Sequence, residues 1–246
     1  MLLVVAITSA PGWPEVKRTF FDWGYFWDSL PEIASAFLLN VKIFCISEAF
    51  ILVLALLLAV IRNLPGPAAL PLRILGIAYA DFFRGVPTIL VIAMLGFGAP
   101  ALQLKTVPTS TTFWGIVALV LVYTAYVSEV YRAGIESVHP SQAAAARSLG
   151  LTRGQALRHV ILPQAVRRVI PPLLNDFIGL QKDTALVGFL GSVEAFKQSQ
   201  IDAAATFNYT SYVAAALLFV ALTIPLARFT DWLVLRDRRR RQAAGT

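Results

Sequence analysis

One apolar stretch of the sequence carries an unusual number of polar and ionisable side chains. Within the predicted helix Val169–Leu190 these are Asn175, Asp176, Gln181, Lys182, Asp183 and Thr184. Asp176 and Asp183 are seven residues apart, so a helix places both on one face, two turns apart. Carboxylate, hydroxyl and amide groups together supply acceptors and donors for a small molecule that carries both an ammonium and a carboxylate. This face is therefore predicted to line a polar cavity rather than to face lipid.

Other apolar stretches also contain ionisable residues. Glu48 lies near the middle of Ala34–Ile61, and Glu129 lies near the end of Thr112–Tyr131. A charge at the centre of a spanning helix costs about 2.5–3.5 kcal/mol on insertion scales, so each needs a partner or a polar cavity. Candidate ligand contacts are Glu48, Asp176, Asp183, Thr184 and Lys182.

Internal pairing is the alternative for these groups. Glu129 has Arg132 one turn away, which favours a structural ion pair. Asp176 could pair with Arg168 or with the backbone, and Lys182 with an acid on another helix. For the ligand candidates this alternative stays open.

Catalysis and energy conversion by this chain are not indicated. No phosphate-binding GxxxxGK[ST] loop, metal-ligand spacing or nucleophile arrangement is present, so no catalytic residue, cofactor or metal is assigned. The two histidines, His139 and His159, have no ligand partners at suitable spacing and are predicted to be solvated or to cap a helix.

The composition indicates a membrane protein. Of the 246 residues, 57% are hydrophobic and 14% are charged, against about 25% charged in soluble domains. A spanning helix needs about 20 mostly apolar residues. Five stretches qualify: Ala34–Ile61, Gly85–Leu102, Thr112–Tyr131, Val169–Leu190 and Phe207–Leu235. The prediction is an all-α, multi-pass transmembrane helical bundle of about five spans. The lone Cys45 lies in an apolar run and is predicted to be buried.

The chain divides into three parts around this bundle. Residues 1–33 form an outer N-terminal segment, residues 34–235 the transmembrane domain, and residues 236–246 a basic tail. The first residues, MLLVVAI, make only a weak candidate for a signal peptide, because they are short and lack a basic start.

Arginine placement predicts the orientation. The loop 133–168, the tail and the first loop on the same side carry most of the positive charge, which places them in the cytoplasm and the N-terminus outside. Topology and anionic lipid account for the net charge of +7. Nucleic-acid binding is not expected, because no aromatic residues alternate with the arginines.

The segment Ser141–Gln164 predicts a polar helical hairpin. Ser141 is a candidate N-cap for a first helix that Gly150 closes. Thr152 and Gln155 have the spacing of a capping box for a second helix, which Pro163 is expected to stop. Such a hairpin suits docking against another protein, and the alternative is an amphipathic loop lying on lipid.

The run AYVSEVYRAGIESVHPSQAAAARSLGLTRGQALRHVILPQAVRRVIPPLLNDFIGLQKDTALVGFLGSVE resembles the membrane subunits of ABC importers for polar amino acids, as does FFRGVPTILV. The resemblance covers roughly residues 37–235. Ala145, Ala146, Leu149 and Gly150 match the small and turn-forming positions of the family's loop, and Leu162 and Pro163 match its end. Ala144 stands where the family usually has a glutamate.

The resemblance implies a permease in the plasma membrane with several partners. These are a cytoplasmic ATPase that binds ATP, an extracytoplasmic binding protein and a second permease subunit, identical or related. The loop would insert a short coupling helix into the ATPase. The coupling residues are predicted to be Ala144, Ala145, Ala146, Arg147, Leu149, Gly150 and Arg153.

Two other classes remain open from the residues. An ion-coupled secondary amino-acid transporter would use Glu48 and Asp183 as proton sites, and a purely structural membrane subunit would need neither. Which amino acid is carried does not follow from the sequence, because Lys182 could cancel the field of Glu48.

Overall fold

Helices make up the regular structure of the described chain. A computed structural model describes residue 5, residues 8–64 and residues 66–244, with the backbone alone for residues 153, 157 and 237–244. The α-helices are α1 (Trp13–Phe20), α2 (Trp23–Arg62), α3 (Leu70–Gly85), α4 (Thr88–Ala101), α5 (Thr111–Glu136), α6 (Pro140–Ser148), α7 (Leu162–Asp183), α8 (Ala195–Thr206) and α9 (Thr210–Ala244). A helical turn Arg153–Ala156 and a π-helical turn Leu157–Ile161 precede α7, and a 3-10 helix Thr184–Leu190 follows it.

Within the part of the chain that the structure describes, three segments are long and apolar enough to cross a membrane: Trp13–Arg62, Thr111–Glu136 and Thr210–Arg236. The pair α3 and α4 would make a fourth span, bent by 101° at the break between Gly85 and Thr88. The fifth predicted stretch, Val169–Leu190, corresponds to α7 and the 3-10 helix. It does not reach the same apolarity, but it packs against α2, α5 and α9 within the bundle.

Glycines let the helices around the 3-10 segment approach closely. A Cβ on Gly115 would lie 2.5 Å from Val187 Cγ1, and one on Gly96 would lie 2.3 Å from Leu190 Cδ1. Small residues at helix contacts are the usual means of close packing in membranes. The buried cluster that results joins α2, α4, α5 and the 3-10 helix, and includes Ile51 and Leu119.

The outer N-terminal segment is joined to the bundle. α2 begins at Trp23, eleven residues before the predicted span, because Asp22 caps it by accepting from Tyr25 N at 3.1 Å. Asp22 N also donates to Thr210 Oγ1 at 3.1 Å, which ties the start of α2 to the start of α9. Residues 1–4, 6 and 7 of the signal-peptide candidate lie outside the described residues.

The expectation that Pro163 ends the second helix of the hairpin is wrong. Pro163 does not stop a helix, because the chain is helical without a break from Arg153 to Asp183 and Pro163 lies in the first turn of α7. The π-helical turn Leu157–Ile161 lies just before it and changes the local hydrogen-bond register. Pro171 and Pro172 likewise lie inside α7 and do not interrupt it.

Cys45 is exposed rather than buried. The neighbouring α2 residues Ile43, Phe44 and Ser47 are buried, and Cys45 points away from them. An apolar residue of a membrane helix can face lipid as readily as it can face a core.

Candidate functional site

The first helix of the predicted hairpin is α6, and both of its ends are capped. His139, not Ser141, supplies the N-cap: its Nδ1 accepts from Ser141 N at 3.2 Å. Pro140 takes the first helical position, where no N–H is needed, so Ser141 falls inside the helix. The capping role expected for His139 is confirmed, and the N-cap assigned to Ser141 is wrong.

Gly150 closes α6 in the left-handed conformation, at φ +84°, as predicted. Gly150 N donates to Arg147 O at 3.0 Å and Leu151 N to Ala146 O at 3.3 Å. These two bonds form a Schellman motif, which satisfies the last carbonyls of the helix. The two bonds fix the geometry of the turn locally, and α6 also packs against the helical turns at residues 153–161.

The second half of the hairpin begins with the predicted capping box. Thr152 N donates to Gln155 Oε1 at 2.9 Å, and Gln155 N donates to Thr152 Oγ1 at 3.3 Å. The side chain of Arg153 lies outside the described part of the chain. The predicted second helix is confirmed at its start, although it continues into α7.

The two caps present one large apolar side chain at the tip of the hairpin. Leu149 is 84% exposed, whereas Ala146 is 4% exposed and packs inward. Ala144, Ala145 and Arg147 are exposed beside Leu149. No acid occurs between Glu136 and Asp176, so the exposed surface is positive.

Inside the bundle, Glu48 of α2 and Asp176 of α7 are half-buried and interact electrostatically. Asp176 Oδ2 is buried and has no hydrogen-bond partner among the described residues. The expected pairing of Asp176 with Arg168 is wrong, because Arg168 donates instead to the carbonyl of Ser137. Two carboxylates therefore share this region without a described cation between them.

The other candidates on α7 have different surroundings. Asp183 Oδ2 accepts from the Tyr123 hydroxyl at 3.0 Å. Thr184 is fully buried, and its hydroxyl donates to Gln181 O at 2.7 Å. Lys182 is exposed and forms no ion pair within 4 Å in the described part of the chain. The structure thus brings Glu48 and Asp176 together, but not all five predicted residues.

Glu129 is the centre of an ion-pair cluster at the end of α5. Its carboxylate lies 2.6 Å from Arg62 Nη1, 3.4 Å from Arg84 Nη1 and 2.7 Å from Arg132 Nη2. The structural pairing with Arg132 is confirmed. Arg62 ends α2 and Arg84 lies at the end of α3, so one carboxylate joins three helices.

Sequence reasoning missed a second buried carboxylate, Glu194. It is fully buried and accepts from Asn40 Nδ2, Phe196 N and Lys197 N at 2.8–2.9 Å. Burial raises the pKa of Glu194, although these hydrogen bonds act in the opposite direction. Asn40 also donates to Thr184 Oγ1 at 3.1 Å and accepts from Ala195 N, so α2, α8 and the 3-10 helix meet at this point.

A local signal for Glu194 exists in the sequence. Glu194 follows Gly191 and Ser192 and precedes the helix former Ala195, which is the position of an N-cap. Asn40 lies within an apolar run, where a polar side chain calls for a buried partner. Their pairing across 154 residues could not be read from local sequence.

Comparison with known proteins now decides the family. Residues 51–239 match the model of the family described as binding-protein-dependent transport system inner membrane component. The chain belongs to this family. The relatives and solved structures described next are ABC transporter permeases, and they favour this class over an ion-coupled secondary transporter.

Relatives of this permease carry names that agree with the resemblance. A Bacillus subtilis protein named "Probable glutamine ABC transporter permease protein GlnM" is 38% identical over 68% of this chain and 76% of its own length. "Probable amino-acid permease protein YxeN" of the same organism is 34% identical over 82% of this chain and 90% of its own length. The resemblance to amino-acid ABC permeases is thereby confirmed.

Solved structures agree with the fold of the permease. A crystal structure of an amino acid ABC transporter with histidines matches with a TM-score of 0.78 and 27% identity, over 89% of this chain and 98% of the other. An inward-facing methionine ABC transporter, MetNI, matches with a TM-score of 0.64 and 18% identity, which supports the fold alone. The predicted multi-pass helical bundle is confirmed.

Proposed function

We propose that this permease forms half of the path for a polar amino acid in an ATP-driven importer, and that a second permease subunit forms the other half. The observation that carries the proposal is the capped hairpin, which projects Leu149 from a family member whose relatives are named amino-acid ABC permeases. An apolar side chain that is 84% exposed at a rigid turn fits a socket on another protein.

The partner at the hairpin is a cytoplasmic ATPase. It binds and hydrolyses ATP, for which the sequence of this chain shows no phosphate-binding loop. The contact surface comprises Ala144, Ala145, Arg147, Leu149, Gly150 and Arg153. Ala146, which was also expected to contact the ATPase, is buried and supports this surface from inside the hairpin. With Ala144 at the usual glutamate position, docking depends on the shape of α6 and on the arginines, and the receiving groove is expected to carry carboxylates.

The substrate path runs along the polar side of α7. Glu48 and Asp176 contact the cationic part of the substrate, because these two neighbouring carboxylates have no described counter-ion. Asp183 and Lys182 lie farther along the same helix, and Thr184 supports the path through its bonds to Asn40 and Gln181.

The topology follows from the arginine distribution. The N-terminus lies outside, where a binding protein delivers the substrate, and the hairpin and tail lie in the cytoplasm, where anionic lipid contacts the arginines.

Reconstitution in proteoliposomes tests this function. The permease with its ATPase and binding protein should take up labelled amino acids only when ATP is inside the compartment that the hairpin faces. Uptake that continues without ATP and stops when ion gradients are dissipated would contradict the proposal.

A further inference from the structure

A cavity lies where the start of α4, the 3-10 helix and the start of α8 meet, and neither Glu48 nor Asp176 lines it. Its volume is about 530 Å³, large enough for a free amino acid. Its lining residues are Ile89, Ala185, Leu186, Gly188, Phe189, Phe196, Lys197 and Gln200. No carboxylate lies among them.

The polar part of this cavity is one lysine and one amide. Lys197 Nζ donates to Gln200 Oε1 at 3.3 Å, and both side chains are half-buried. Lys197 forms no ion pair within 4 Å among the described side chains. An ammonium has three donors and the amide of Gln200 offers both an acceptor and donors, so this corner can bind a further polar group.

The buried Glu194 carboxylate fixes the backbone at Lys197 on the side away from the cavity. Glu194 Oε1 accepts from Lys197 N at 2.8 Å, so the buried carboxylate fixes the first turn of α8. A Cβ on Gly188 would lie 2.2 Å from Glu194 Oε1, so only glycine allows this approach. The Glu194 carboxylate attracts the Lys197 ammonium, but no Glu194 oxygen lies within 4 Å of Lys197 Nζ, so the ammonium donors remain free of an ion pair among the described side chains.

Aromatic rings connect the cavity with the N-terminal end of the bundle. Phe20 stacks on Tyr209 with ring centroids 5.0 Å apart, Tyr209 stacks on Tyr212, and Tyr212 contacts Phe196 at 5.8 Å. Phe196 forms part of the cavity wall. The cavity therefore lies toward the end of the bundle where α1 ends and α9 begins, which the proposed topology places on the outer side.

We propose that this cavity is a contact site for the incoming amino acid, in which the Lys197 ammonium receives the α-carboxylate and the Gln200 amide oxygen receives the α-ammonium. Phe189 and Phe196 cover the aliphatic part of the ligand. The inference rests on the proposed function, and it adds a contact site that is separate from the acidic pair on α2 and α7.

Equilibrium binding to the purified permease–ATPase complex, without the binding protein, tests the site. The probes are labelled L-glutamine, L-arginine, L-glutamate and L-histidine, and the competitor is the C-terminal carboxamide of the amino acid that binds. Lys197→Met should weaken binding by at least about tenfold, the loss expected for one hydrogen bond to a charged group. Lys197→Arg should retain most of the affinity, and Lys105→Met, in an exposed loop, should retain all of it.

The carboxamide separates a ligand contact from a structural role. The wild-type complex should prefer the free acid to the carboxamide, and Lys197→Met should lose that preference. Gln200→Leu, a second variant in case Lys197→Met does not fold, should weaken binding of both. Equal affinity and preference in wild type and both variants would overturn the inference alone if wild-type proteoliposomes import amino acids. If they import none, the proposed function fails and the inference fails with it.

Discussion

Arg62 Nη1 lies 2.6 Å from Glu129 Oε1, with the Arg62 side chain 8% exposed and that of Glu129 17% exposed. The pair joins the last residue of α2 to α5, and Arg84 and Arg132 contact the same carboxylate. Pairs this well buried are costly to break from one side, because the remaining charge loses its partner.

Glu129→Gln is therefore expected to lower the free energy of unfolding by about 3 kcal/mol, the lower end for breaking a buried ion pair. Thermal unfolding of the purified permease in detergent measures this. Arg18→Gln, which removes an exposed pair with Glu15, should leave the midpoint unchanged. If the unfolding midpoint of Glu129→Gln equals that of the wild type, the ion-pair cluster does not contribute to the stability of the permease.

Glu194→Gln should destabilise the permease by about 1–3 kcal/mol. Three donors converge on this carboxylate, so an amide must place its NH₂ group against at least one of them. Thermal unfolding again provides the measurement, and Glu32→Gln, at an exposed position, is the matched control. Equal unfolding midpoints for the two variants would show that the hydrogen bonds to Glu194 do not stabilise the permease.

Gly134→Ala should destabilise the contact between α5 and α7, by about 1–3 kcal/mol, because its Cβ would lie 1.9 Å from Val169 Cγ2. Gly98→Ala adds the same atom to a helix where nothing lies within 4 Å, and is expected to be neutral or slightly stabilising. The two variants differ only in packing, so the same midpoint for both would refute the close approach.

Gly150→Val should uncouple ATP hydrolysis from uptake. Nothing lies within 4 Å of a Cβ at this position, so the cost is the left-handed backbone, about 1–2 kcal/mol, which shifts the turn that carries Leu149. The ratio of amino acid imported to ATP hydrolysed, in proteoliposomes, reports coupling. Gly154→Val, in a helical turn with equally open space, is the control. Normal coupling in Gly150→Val would remove the mechanical role of the turn.

Local features of this chain were predictable and distant pairings were not. The Thr152–Gln155 capping box and the left-handed Gly150 follow from residue type and spacing within five residues. His139 displaced Ser141 as the cap because Pro140 favours the first helical position, a competition that spacing alone does not resolve. Arg62 and Arg84 reach Glu129 from other helices, so only the packing of the bundle reveals them.

The sequence also did not indicate which side of each helix faces the core. Apolar residues of α2 are both buried, as Ile51 is, and exposed, as Val53 is at 59%. In a membrane both environments accept the same side chains, so hydropathy does not separate core from surface. The misplacement of Cys45 has this cause.

The chain is helical without a break from Arg153 to Asp183, so the hairpin and the polar face of α7 are joined by one element. At 1.5 Å per residue it is about 45 Å long, and it begins just after the Gly150 turn and ends at Asp183. The continuous helical segment that follows the proposed coupling turn therefore carries the polar residues Asp176 and Asp183, so a displacement of the turn would reach these carboxylates along a single element.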